Sequence, residues 1–164
     1  MEFNYNNPLE QKETRKHLIV VNGLGEKQKH VGDCVIRSIS IACETPYLDV
    51  QKELQKRTKA FREKSWSRMA RKIKPKEDNG FKGIPKQSYE PYLLSLGCKW
   101  KPTMFIGSGC KVHLKASELP RGRLICAVSR HLVAVIDGVI HDTVDCSRGE
   151  TRCVYGYYYK KENK

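Results

Sequence analysis

The sequence predicts an α+β domain, with helices first and an antiparallel sheet second, and three observations carry that expectation. Up to Gly97 the apolar residues recur at helical spacing; after it they gather in short β-branched and aromatic runs; and those later runs are punctuated by glycine- and proline-containing turns. At 164 residues the chain suits a single domain with a hydrophobic core of its own.

Met1 to Lys16 is polar and is expected as a flexible N-terminal arm, leaving residues 17–164 as the domain. Leu18–Val21 reads as a short strand ended by Asn22-Gly23 and Gly25. A helix is expected over 33–43, where Val35, Ile36, Ile39, Ala42 and Cys43 share a face and Gly32 and Asp33 are residue types that precede or cap a helix. Thr45-Pro46 supplies an N-cap and first residue for a second helix, with Tyr47, Val50, Leu54 and Phe61 as its apolar stripe and lysine and arginine opposite. Residues 62–84 read as a long basic connection. A third helix is expected between Pro85 and Leu96, turning Tyr89, Tyr92, Leu93 and Leu96 inward, with Pro91 in its first turn or at a kink. The expected strands are Cys98–Trp100, Val112–Leu114, Leu124–Val128, Leu132–Ile136, Val139–Val144 and Cys153–Tyr159.

Lys+Arg 31 against Asp+Glu 18 gives a formal charge of +13. Between Lys52 and Lys76 there are eleven basic and two acidic residues, so net +9 of that excess lies in one segment. A second functional class follows from it: a catalytically inactive module that binds nucleic acid or an acidic protein through 52–76, with Lys72, Lys74 and Lys76 as contact residues. No apolar run approaches the roughly 18 residues a bilayer span requires, so no membrane role is expected. The seven cysteines are odd in number and lack the spacing of a disulfide framework, and the polar start is unlike a signal peptide. Free thiols and a reducing, cytoplasmic location are therefore expected.

The chemistry centres on Cys34. In the first turn of a helix, the unpaired amides and the positive end of the helix dipole favour a thiolate. Gln28, six residues upstream, is a donor able to fold back toward an oxyanion formed on attack. Asp137-Gly138 between two alternating runs is a strong two-residue hairpin signal. It pairs Ile136 with Val139, Val135 with Ile140, Val133 with Asp142 and His131 with Val144, bringing His131 and Asp142 to one face as diagonal neighbours. A cysteine, a histidine to take its proton and a carboxylate to orient the ring are the parts of a thiol nucleophile system. Asp137 is the alternative acid, but it is assigned to the turn.

Gln28 to Cys34, with Asp33 before the cysteine, resembles the start of papain-like cysteine peptidases, in particular the peptidase domains of bacteriocin exporters. Gly32-Asp33-Cys34-Val35-Ile36-Arg37-Ser38-Ile39 is also similar to the cysteine box of ovarian-tumour-type deubiquitinases, except that Val31 stands where those enzymes carry an acid. His131 to Val135 followed by Ile140-His141-Asp142-Thr143 resembles the histidine and aspartate strands of the same superfamily, with Thr143 in place of the exporter domains' proline. The whole has the look of small uncharacterised cysteine-peptidase-like proteins of bacteriophages. The resemblance implies a papain-like fold, cleavage of a peptide or isopeptide bond in a peptide or protein substrate, Cys34, His131 and Asp142 as the catalytic residues, Gln28 at the oxyanion, and no cofactor or metal. A zinc site from Cys110, His113, Cys146 and Cys153 has neither finger nor ribbon spacing. Tyr155, Tyr157, Tyr158 and Tyr159 read as a terminal strand with one face buried, the alternative being a stacking platform for bases. His30 is either a subsite residue or a loop histidine, and His141 alternates to the face opposite Asp142.

Overall fold

The computed structural model describes residues 1–22, 32–72 and 83–160. Among them, five α-helices and a six-stranded sheet form a mixed α+β fold: α1 (Lys12–Asn22), α2 (Cys34–Cys43), α3 (Tyr47–Lys64), α4 (Arg68–Lys72) and α5 (Lys86–Ser95), with β1 (Glu2–Tyr5), β2 (Cys98–Pro102), β3 (Arg123–Val128), β4 (His131–Ile136), β5 (Val139–Asp142) and β6 (Val154–Lys160). The strand order is β1-β5-β4-β3-β6-β2, antiparallel except where β1 runs parallel to β5.

The sheet is buried on both faces, so its central strands are nearly continuous apolar runs rather than clean alternations. One face meets α2, α3 and α5 through Ile36, Ile39, Val50, Leu54, Leu93, Ile125, Ala134 and Tyr158. The other is closed by Leu114, Leu119 and Cys146 from irregular segments over Leu124, Val133, Val135, Ile140 and Tyr157. Tyr157 and Tyr158 are therefore both buried, on opposite faces, while Tyr155 is exposed. That leaves the tyrosine run a core strand and not a stacking platform.

Several local expectations are corrected. Residues 1–16 form elements of the fold where an arm was expected: β1 pairs Glu2 with Val139 and Tyr5 with Asp142, and a 3-10 turn at Pro8–Glu10 buries Leu9. The strand partner lies far away in sequence, and an edge strand with exposed side chains carries no hydrophobic signal. Leu18–Val21 lies within α1, a short apolar run being ambiguous between helix and strand. The expected 62–84 connection is partly helical, through the end of α3 and through α4. Val112–Leu114 forms only an isolated bridge, His113 with Cys153. Pro91 is the sixth residue of α5, past the first turn, where it withholds a donor from the Gln87 carbonyl. Cys110 and Cys153 are joined in a disulfide, Cα–Cα 5.8 Å, which removes the premise of an all-thiol chain behind the cytoplasmic expectation. Among the described residues no helix is long and apolar enough to cross a membrane.

Gly156 carries a packing constraint. A Cβ built on it would lie 2.3 Å from Trp100 Cζ2 and 2.8 Å from the Lys101 carbonyl oxygen, so the indole lies directly over β6. Trp100 in turn stacks on Tyr158, with centroids 4.6 Å apart. Gly156→Ala is expected to destabilise the fold by about 1–3 kcal/mol, the scale of overpacking. Denaturant unfolding measures it, and an unchanged midpoint would mean that Trp100 is free to move aside.

Candidate active site

Helix α2 is central because its sequence, CVIRSISIAC, leaves no polar face: Ile36 through Ala42 are all buried. Its two inner serines satisfy their hydroxyls on backbone, Ser38 Oγ donating to the Val35 carbonyl at 3.1 Å and Ser40 Oγ to that of Thr45 at 2.7 Å. Cys34 is the first helical residue and half-buried, as the sequence predicts. Asp33 stands at the N-cap but makes no side-chain capping bond. Its carboxylate is turned instead onto Arg37, in an ion pair with the guanidinium, and onto Tyr47, whose hydroxyl donates to Oδ2 at 2.8 Å.

The β4–β5 hairpin follows the expected register through Ile136–Val139, Val135–Ile140 and Ala134–His141. Asp137 and Gly138 take φ of 50° and 85°, the positive pair that a two-residue I′ turn requires. Asp137 is a turn residue, as expected: its Oδ1 accepts from the Gly122 amide at 2.9 Å. The ladder ends at Ala134–His141, so the expected pairings of Val133 with Asp142 and of His131 with Val144 do not form, and Val144 is exposed. The side chains meet nonetheless, with His131 Nε2 2.6 Å from Asp142 Oδ2.

Asp142 is 1 % exposed and is held from several sides. Its Oδ1 accepts from Arg37 Nε at 3.0 Å, from Arg37 Nη2 at 2.8 Å and from the Thr143 amide at 2.7 Å, which leaves Oδ2 to the histidine. The Thr143 bond is one that a proline at that position would lack. Arg37 was not singled out from the sequence, although a lone cation in an otherwise apolar helix, one turn after the cysteine, was the available signal. It joins α2, which bears Cys34, to β5, which bears Asp142.

The electrostatics follow from these contacts. Burial pushes the Cys34 thiol up, but the His131 hydrogen bond, the Leu132 amide, and the charges of His131 and Arg37 outweigh it and hold the thiol below its ordinary value. Burial opposes the His131 imidazolium, yet hydrogen bonds to Asp142, Cys146 and Cys34 and the Asp142 charge push it up to about 11. Asp142 is likewise lowered against burial, by His131 and Arg37. These shifts all favour a thiolate–imidazolium pair backed by a carboxylate. With Nε2 committed to Asp142, Nδ1 is the ring nitrogen left for proton exchange with sulfur.

A cleft of roughly 540 Å³ opens on this pair. Cys34 and His131 line it together with Tyr89, Trp100, Arg130 and Tyr155. Lys86 Nζ sits 4.8 Å from the Trp100 ring at its wall. Cys146 is the other residue the sequence reading did not connect to the site: its sulfur, a His131 nitrogen and an Asp142 oxygen lie within 4.8 Å of one another. Such a trio has the donor set for a metal ion, but Arg37 on the same carboxylate opposes a further cation. Two members of the sequence-based zinc alternative, Cys110 and Cys153, are bound to each other. His141 faces away from the triad, toward Asn4 and Asn6. Gln28, His30, Lys74 and Lys76 lie outside the described residues, and Lys72 ends α4.

Arg37→Leu leaves Asp33 and Asp142 buried without their cation, and is expected to cost about 3–5 kcal/mol in denaturant unfolding; a loss below about 1 kcal/mol would remove Arg37 from this role. The second expectation concerns pH. Alkylation of Cys34 should remain fast well below the ordinary thiol value of 9.0 and fall only as the thiolate takes up a proton on the acid side. Asp142→Asn, by lowering His131, should move that midpoint to higher pH. The linked stability has two edges: the raised His131 contributes fully below 6.5 and is lost as pH rises toward about 11, whereas the lowered Asp142 contributes above 3.8 and is lost as pH falls below it.

No family model matches the chain, and no curated protein or solved structure is similar enough to match it, so the function of this site is argued from its chemistry.

Proposed function

We propose that this protein is a thiol hydrolase that cleaves a peptide or isopeptide bond through a covalent acyl-enzyme, on an arrangement resembling that of the papain-like peptidases. The observation that carries the reading is the convergence of three side chains from α2, β4 and β5: a thiol at a helix start, an imidazole that stabilises its thiolate, and a buried carboxylate 2.6 Å from the far ring nitrogen. The shifts of all three groups run toward the protonation states the reaction needs.

In the first half-reaction the Cys34 thiolate adds to the scissile carbonyl carbon, and the π electrons move to oxygen. Collapse of this tetrahedral species breaks the C–N bond, and the imidazolium Nδ1 gives its proton to the departing amine. The Cys34 amide, at the positive end of α2, serves in this reading as one oxyanion donor, with Gln28 as the second donor the sequence suggests. In the second half-reaction neutral His131 takes a proton from water, hydroxide adds to the thioester, and the carboxylic acid leaves as the thiolate is restored. Asp142 does not exchange a proton; it fixes the ring and favours the imidazolium.

Cys34→Ala is expected to abolish turnover of a casein or ubiquitin-conjugate substrate while leaving the thermal midpoint nearly unchanged, since a small half-buried thiol opens little volume. Asp142→Ala should reduce turnover by roughly a thousandfold or more. Asp137→Asn should be tolerated, because asparagine also accepts positive φ before glycine and keeps an oxygen for the Gly122 amide. Full turnover in Cys34→Ala, or a reversed ranking of the two aspartates, would overturn the reading.

A further inference from the structure

We propose that Cys43 and Cys98 form a second reactive site, a dithiol that exchanges with small anionic disulfides. The two sulfurs lie 3.8 Å apart, Cys43 half-buried at the last residue of α2 and Cys98 buried at the first residue of β2. Closure to a disulfide of about 2.05 Å brings together side chains that already touch. The pair is separate from the hydrolytic centre: Cys34 opens the same helix nine residues earlier, about 14 Å away along its axis.

What points to a ligand is the space beside the dithiol. A cavity of roughly 710 Å³ is lined by both cysteines and by Lys101, Arg121, Arg123 and Lys160, against the carboxylates of Glu44 and Asp137. Both carboxylates are already engaged, Glu44 with Arg123 at 3.3 Å and Asp137 with the Gly122 amide. Arg123 also donates to the Ala42 carbonyl at 2.9 Å and so fixes the end of α2 that presents Cys43. The cavity therefore holds net positive charge next to sulfur, the environment that suits a disulfide flanked by carboxylates. The hydrogen bond to Cys98 and burial push the Cys43 thiol up, against the nearby Lys160 charge, while the same hydrogen bond holds Cys98 below its ordinary value.

The exchange balances without another reactant. The pair first loses one proton to solvent; with the remaining proton on Cys98, the accessible Cys43 thiolate attacks one sulfur of the disulfide RSSR and expels RS⁻, which takes a proton from solvent. Cys98 then loses its proton and attacks Cys43 Sγ in the mixed disulfide, expelling the second RS⁻, which is protonated in turn. The dithiol is oxidised by two electrons and RSSR is reduced to two RSH.

The test uses the full chain carrying Cys34→Ala, so that the hydrolytic thiol does not contribute and the result is independent of the peptidase reading. After incubation with oxidised glutathione, a non-reducing digest analysed by mass spectrometry is expected to contain a Cys43–Cys98 cross-linked peptide. Adding Cys98→Ser should instead trap one glutathione on Cys43. Lys101→Ala with Lys160→Ala should slow the reaction with oxidised glutathione by about tenfold at low salt, yet leave reaction with a neutral dialkyl disulfide unchanged. Cys43 and Cys98 still free after the buried thiols Cys126 and Cys146 have reacted would overturn the proposal. So would equal slowing with both disulfides.

Discussion

Two carboxylates and one guanidinium, all buried, hold the centre of this protein together. Arg37 lies between Asp33 and Asp142 and satisfies both, while Tyr47 and the Thr143 amide take remaining lone pairs. Each charge would be expensive alone in that environment, and the cluster is tolerable because its members complete one another. The cluster also has a geometric effect. It ties the first turn of α2 to the end of β5, and the depth at which Asp142 is held sets where His131 can stand. The relation of Cys34 to His131 thus depends on Arg37, which bridges the two carboxylates.

The parts of the site that were legible in the sequence are those whose signals are local. The Cys34 helix start needs only the period of the residues that follow it, and the His131–Asp142 approach needs only the Asp137-Gly138 turn and a period of two. Arg37 was legible only in retrospect: a cation amid VIRSISIA declares that a counter-charge must exist but not which, and the partner on β5 is 105 residues away. Cys146 approaches His131 from an irregular segment with no periodicity to read. The N-terminal strand was missed for a related reason, since a parallel edge strand shows neither alternation nor a hairpin turn, and the Cys110–Cys153 link joins a loop to the residue before β6 across 43 residues. Tyr157 and Tyr158 illustrate the remaining difficulty: on a sheet covered on both faces, neighbours that ought to alternate are both core.

Helix α2 serves opposite purposes at its two ends. Its N-terminus contributes positive potential to Cys34, and its C-terminal carbonyls are neutralised by Arg123 from β3, with Glu44 taking a left-handed conformation to end the helix. Because Ile36 through Ala42 are all buried against the sheet, the sheet is the reference frame for both ends. The cleft wall is similarly rigid, since Trp100 has the Gly156 backbone beneath it and Tyr158 beside it.

The parallel strand β1 also bears on when the protein becomes competent during synthesis. Its partner β5 is the strand that carries Asp142, and the two are separated by almost the whole chain: Glu2 waits for Val139 and Tyr5 for Asp142. At typical elongation rates of about 5–20 residues per second, α2 emerges with its thiol several seconds before the histidine and the acid exist. A nascent chain therefore has Cys34 without His131, and among the described residues the outer edge of β5 is covered by a segment made well before it. Contacts of that sequence separation form late in folding. The order of translation by itself postpones assembly of the nucleophile system until the fold around it can close.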